Sequence, residues 1–170
     1  MPEDKTTLSG DKGIKTNNRK KTRKYLYQKI YASTFSKIDN AEFDNTFYGE
    51  VFDFDLDSRY LEDMLEIIQE KEGYLLKIIS LLAPKFKIKS MGNHYIIPIF
   101  IGAAEMLFLE EEIPAKVSIN EAIEMSKVYG DESSKRIVNG VMNKLYKDFD
   151  NIKEQLEEFD GNFGISIIKR

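Results

Sequence analysis

Along most of this chain, apolar residues recur at three- and four-residue steps, the pattern of helices that bury one face. Tyr25, Leu26, Ile30, Tyr31 and Thr34 share one such face, which predicts a helix from Asn17 or Asn18 to near Phe35. Its other side opens with Arg19, Lys20, Lys21, Arg23 and Lys24. Residues 39–57 are acidic and aromatic with an irregular period, so a loop with one short helical turn is expected there. Asp57 then reads as an N-cap, followed by Leu61, Met64, Leu65 and Ile68 and by Leu75, Leu76 and Ile79 at helical spacing. Gly73 is expected to divide this run into two helices, and Pro84 to stop the second.

Residues 94–109 are almost wholly apolar, but the stretch is short and contains Pro98 and Glu105, which predicts a buried central helix rather than a membrane span. Ile113-Pro114 opens the next helix, where Ser118 and Glu121 have capping-box spacing and Gly130 marks the end. Asp131 or Ser133 should cap the helix that follows, whose apolar face is Ile137, Val138, Val141, Met142 and Leu145. Gly140 lies within it at a cost of about 1 kcal/mol relative to alanine, which predicts close backbone packing. A last amphipathic helix covers roughly 151–159. Only residues 164–168 alternate enough to suggest a strand, and they are too few to define a sheet. The fold class read from this pattern is all-α.

Composition narrows the chemistry. With 170 residues and 42% hydrophobic content, the chain suits one domain, taken as residues 17–170. Residues 1–16 have no aromatic side chain and only Leu8 and Ile14 as large aliphatics, so a disordered arm is expected at the basic end of the chain. The absence of cysteine excludes disulfides, thiolate metal sites and thiol catalysis, and a single histidine, His94, excludes chemistry that needs two imidazoles. No run of about 18 apolar residues occurs, so the expectation is a cytoplasmic protein without membrane contact.

The candidate sites are few. Asp53, Asp55 and Asp57 have the spacing of a calcium loop, but its glycine position is Ser58 and its bidentate glutamate position is Met64, so a solvated turn is the better reading. Glu121 and Glu124 lie one turn apart without the companion Glu-x-x-His pair of a dimetal site. His94 has no nucleophile to serve and reads as a helix-start residue, and no motif calls for an enzyme, a metal or a cofactor. Asn120 and Asn139 read as groups that satisfy backbone within the bundle. The exception is charge. Residues 1–37 carry ten Lys/Arg against three acids, and residues 38–170 carry fifteen against twenty-six. The cluster Arg19–Lys24 sits at a helix start, where the macrodipole disfavours cations, and Tyr25, Tyr27 and Tyr31 flank it as rings on which unpaired bases could stack.

The segment from Ile113 to Gly130 (IPAKVSINEAIEMSKVYG), followed by Ser133 to Lys144 (SSKRIVNGVMNK), resembles the C-terminal signature of the NusB family. The order of proline, Lys-Val, Ile-Asn-Glu-Ala, a helix ending in glycine and Val-Asn-Gly-Val is kept throughout. The basic start followed by Gln28-Lys-Ile-Tyr31 is similar to the family's arginine-rich start leading to Gln-x-Leu-Tyr. The resemblance implies about seven helices in two three-helix-type lobes, near residues 17–83 and 84–160. It also implies transcription antitermination through boxA-type single-stranded leader RNA, bound jointly with the small-subunit ribosomal protein NusE in the RNA polymerase antitermination complex, by a monomer or homodimer. It places RNA contacts on Arg19, Lys20, Lys21, Arg23, Ser133, Lys135, Arg136 and Ile137, and the protein partner on Tyr31 and Glu105. The rival reading is a helical protein–protein interaction module, like the NusB-like regulatory domain of RNA cytosine methyltransferases. Three positions depart from the pattern. Ile137 stands where the family often has an aromatic residue, Phe100 where an arginine commonly precedes the glutamate by five residues, and Ser133 where aspartate is frequent.

Overall fold

The computed structural model describes residues 2–45 and 55–170, with side chains from Asn18 onward. Among the described residues there are seven α-helices and no strand: α1 (Pro2–Ser33), α2 (Asn40–Phe43), α3 (Ser58–Leu82), α4 (Asn93–Phe108), α5 (Ala115–Tyr129), α6 (Glu132–Lys147) and α7 (Phe149–Glu157), with a 3₁₀ turn at Ile88–Ser90. The apolar stretch read as central is α4, which packs against α1, α3, α5 and α6. Every residue from Ile96 to Leu107 is buried, Pro98 included. No helix among the described residues is long and apolar enough to cross a membrane.

The first helix begins earlier than the sequence expectation, and the acidic stretch follows it. The chain is helical from Pro2, where a disordered arm was expected. Adding a turn to an existing helix needs no new nucleus, so a segment without an apolar stripe can continue a helix that tertiary packing holds. The acidic stretch supplies the one short turn, α2, capped by the Asp39 carboxylate. Residues 46–54, including Asp53 of the calcium-loop spacing, lie outside the described residues.

Gly73 does not divide two helices. Residues 58–82 form one helix, because Leu61, Met64, Ile68, Glu72, Leu75, Leu76 and Ile79 continue a single buried stripe through it. Its role is proximity: a Cβ at Gly73 would stand 1.8 Å from the Gly161 carbonyl oxygen. Asp57 caps this helix as expected, accepting from the Tyr60 N–H at 3.3 Å, and the helix stops before Pro84.

After α7 the chain turns back across α3 as a strap. Glu72, 4% exposed on the inward stripe, accepts the N–H groups of Ile167 and Ile168, both at 3.0 Å, and the Ser166 hydroxyl. Arg170 donates to the Gln69 carbonyl, and the Lys169 N–H donates to the Ser33 carbonyl at the end of α1 at 2.8 Å. Residues 164–168 are thus held by a carboxylate and not by a partner strand, which is why they form none.

Gly140 is not a packing residue. It is exposed, and a Cβ there would meet nothing within 4 Å. Asn120 and Asn139 are likewise exposed, and the Asn139 Oδ1 accepts from Asn143 on its own helix at 2.6 Å.

Candidate nucleic-acid interface

The basic start of α1 divides by helical position. Lys20 and Lys21 are exposed, whereas Arg23 is 3% exposed, four residues before buried Tyr27 and seven before buried Ile30. Arg23 therefore points into the bundle, away from the surface on which an RNA contact was expected. It donates from Nε and Nη2 to the two oxygens of Glu105 at 2.8 and 3.0 Å. Glu105 is 0% exposed, so it is not a partner-facing charge either. It also accepts the Tyr60 hydroxyl at 2.6 Å and the Ser118 hydroxyl at 3.0 Å, and Glu121 lies 4.0 Å from Arg23.

This cluster joins α1, α3, α4 and α5 inside the core, and its chemistry explains how two opposite charges are buried together. Bidentate geometry and two further donors satisfy the carboxylate, which is the condition under which a buried pair is tolerated. Burial lowers the Arg23 pKa, but the Glu105 hydrogen bond and charge outweigh it and hold the guanidinium above its ordinary value. Burial, then the Glu105 charge, push the Tyr60 phenol well above its usual range, so it remains a donor. Ser118 and Glu121 are consumed here and do not form a capping box; the α5 N-cap is Pro114, with no side-chain cap. The sequence did hold a signal: a lone glutamate in an apolar helix requires buried partners.

Arg19 is only partly available. Its Nε and Nη2 both lie 3.1 Å from Asp57, and its guanidinium sits over the Tyr60 ring. Asp57 in turn donates its N–H to Thr22 at 3.0 Å, so the start of α1 is tied to the cap of α3. Beside this tie runs an open groove of about 770 Å³, whose walls include Arg19 and Lys20 but also Asp57, Glu112 and Glu121.

At the start of α6, Asp131 is the cap in a reciprocal box with Ser134. The Ser134 N–H donates to the Asp131 carboxylate at 2.9 Å and holds it below its usual pKa range. One amide of the helix end is therefore already taken by a carboxylate. Anion binding here falls to side chains: Arg136 and Ser133 are exposed, Lys135 is half-buried, and Ile137 is half-buried against the core.

Both basic groups act electrostatically on α5. The exposed carboxylate of Glu124 is lowered chiefly by its 2.9 Å hydrogen bond from Lys127, and it also feels Lys20 from α1 and Lys135 from α6. Of these cations only Lys127 is bonded to Glu124. Lys127 is a cation the sequence reading missed.

Among the tyrosines proposed as stacking rings, Tyr25 and Tyr27 are core residues and Tyr31 is 43% exposed. Tyr27 stacks on Tyr129 with centroids 4.0 Å apart, and Tyr31 meets Phe35 edge-on at 5.1 Å. Of the two residues expected to meet the protein partner, Tyr31 is on the surface and Glu105 is not.

Comparison with known proteins agrees with this arrangement of elements. A family model described as the NusB family matches residues 20–147. A Clostridium perfringens protein named transcription antitermination protein NusB is 36% identical over 132 residues, covering 76% of this chain and 97% of that protein. A Serratia proteamaculans protein of the same name is 33% identical over 134 residues, covering 78% and 94%. No solved structure matches the chain significantly. With the signature helices, the basic α1 and these relatives in register over most of its length, the chain belongs to the NusB family.

Proposed function

We propose that this chain is a non-enzymatic RNA-binding adaptor in transcription antitermination. It holds boxA-type single-stranded leader RNA jointly with the ribosomal protein NusE and delivers both to the elongating RNA polymerase in the cytoplasm. The observation that carries the reading is the family match over residues 20–147, which takes in both the exposed basic start of α1 and the exposed basic start of α6. In this reading the two basic elements, far apart in sequence, act together to track phosphates. The RNA contacts in this reading are Lys20, Lys21, Ser133, Lys135, Arg136 and Ile137, with Arg19 at the edge; the exposed Tyr31 and Phe35 face the protein partner. The two lobes, residues 17–83 and 84–160, set these patches side by side.

The test is fluorescence anisotropy with a labelled boxA-type RNA, with and without the ribosomal partner, at two salt concentrations. Sequence-dependent binding that tightens with the partner is expected, with a salt slope of about −0.7 per phosphate contact. Replacing Lys20, Lys21, Lys135 and Arg136 together by alanine should remove binding and leave the helical circular dichroism unchanged. Absence of RNA binding under all conditions would refute the proposal in favour of a protein-only interaction module.

A further inference from the structure

The segment joining α3 to α4 is Pro84-Lys-Phe-Lys-Ile-Lys-Ser90, three lysines alternating with apolar residues. Ile88 turns inward, at 8% exposure, and anchors the segment; Lys85, Lys87 and Lys89 are exposed. The backbone is fixed by hydrogen bonds from the Phe86 N–H to the Ala83 carbonyl at 3.1 Å and from the Ser90 N–H to the Lys87 carbonyl at 2.9 Å. On this rigid turn the Phe86 ring is 47% exposed. It faces a groove of about 390 Å³ shared with Met91, Tyr95 and Ile137 and lined also by Lys85 and Lys87.

We infer that this groove is a further RNA-binding site, in which Phe86 stacks on an unpaired base and Lys85 and Lys87 hold the adjoining phosphates. The inference rests on the RNA-binding reading above and extends it past the first turn of α6. Three observations select this occupant. No carboxylate lines the groove, whereas the larger groove beside Arg19 carries three and would repel a polyanion. The groove reaches Ile137, so it continues the surface of Lys135 and Arg136 without a gap in sequence. A phenylalanine ring left open between lysines offers a flat face to a base that has no paired neighbour, the arrangement of single-strand platforms.

The experiment uses the full chain and the labelled boxA-type RNA. Phe86→Ala should weaken binding roughly 5- to 150-fold, the effect of losing one stacked base. Phe86→Trp should retain affinity. The chain has no tryptophan, so that variant carries a single indole whose emission should be quenched as RNA is added, because stacking on a base opens a non-radiative path. Lys85→Ala with Lys87→Ala should make the salt slope shallower by about 1.4. Three results would overturn the inference. Phe86→Ala binding as tightly as the parent while the Lys20, Lys21, Lys135 and Arg136 variant has lost the RNA would do so and leave the antitermination reading standing. So would a Phe86→Trp protein that binds RNA with unquenched emission. A parent chain that binds no RNA would remove both readings together.

Discussion

Replacing Glu105 by alanine removes the acceptor of four hydrogen bonds, from Arg23 Nε at 2.8 Å, Arg23 Nη2 at 3.0 Å, Tyr60 at 2.6 Å and Ser118 at 3.0 Å. The donors are no more than 3% exposed, so water cannot replace the carboxylate without opening the core. Taking one partner from a buried ion pair costs about 3–5 kcal/mol. Two stranded hydroxyls add about 1–3 kcal/mol each before relaxation. Glu121, at 4.0 Å from Arg23, can move closer and recover part of this. The expected loss is therefore about 4–7 kcal/mol, comparable to the whole stability of many domains. Glu105→Gln keeps the shape and one acceptor oxygen but turns an amide N–H₂ toward donors, and should lose about 2–3 kcal/mol. Arg23→Met combined with Glu105→Met exchanges the ion pair for apolar volume and leaves only the Tyr60 and Ser118 hydroxyls stranded, so its loss should fall well short of the sum of the Arg23→Met and Glu105→Met single changes. Urea unfolding followed by circular dichroism measures each value, with the parent, Arg23→Met, Glu105→Met and the double variant forming a double-mutant cycle. A loss below 1 kcal/mol for Glu105→Ala, or additivity across the cycle, would refute the reasoning that this cluster is a coupled, desolvated unit.

Four further outcomes are expected. Gly73→Ala should destabilise despite alanine's better helix propensity, because its Cβ would stand 1.8 Å from the Gly161 carbonyl; amide exchange at Ile167 and Ile168 should accelerate as the strap lifts. Glu72→Ala should cost about 2–3 kcal/mol in urea unfolding, the value of hydrogen bonds to a charged acceptor. Gly140→Ala should stabilise by about 0.5–1 kcal/mol, since its Cβ meets nothing within 4 Å, and a higher Tm would report it. Burial, then Tyr129 and Tyr31, push the Tyr27 phenol up to about 12, against an ordinary value of 10.0 in the unfolded chain. Between those values the unfolded state holds fewer protons than the native state, so stability should fall as pH rises through that window and be unaffected below it. Tyr27→Phe should flatten that part of the urea-midpoint profile.

Local chemistry was legible where the signal is local. Asp57 and Asp131 read as caps because an N-cap needs only its own first turn, and α4 read as central because nearly every side chain in it is apolar. Three of the errors share one cause, a partner distant in sequence. Gly73 read as a helix break because its neighbour, Gly161, lies on the returning strap. Ser118 and Glu121 matched a cap because three-residue spacing looks the same whether the hydroxyl serves its own helix or Glu105 across the core. Arg23 read as surface charge because basic residues surround it, although its place on the stripe with Tyr27 and Ile30 was already readable. The family motifs located the basic elements of the proposed interface; they did not separate the cations that face solvent from the one that closes the core.

The strap also imposes a schedule. Helices nucleate locally and quickly, but the bonds from Ser166, Ile167 and Ile168 to Glu72 bridge separations of 94, 95 and 96 residues. During synthesis at about 5–20 residues per second, α3 leaves the ribosome roughly 5–20 s before the segment that completes it. In that interval Glu72 has none of its three strap donors, and the stripe around it stays open to chance encounters. Each newly made molecule therefore passes through a vulnerable period whose length is set by translation speed, and a slower ribosome prolongs the exposure of a segment that the finished protein keeps covered.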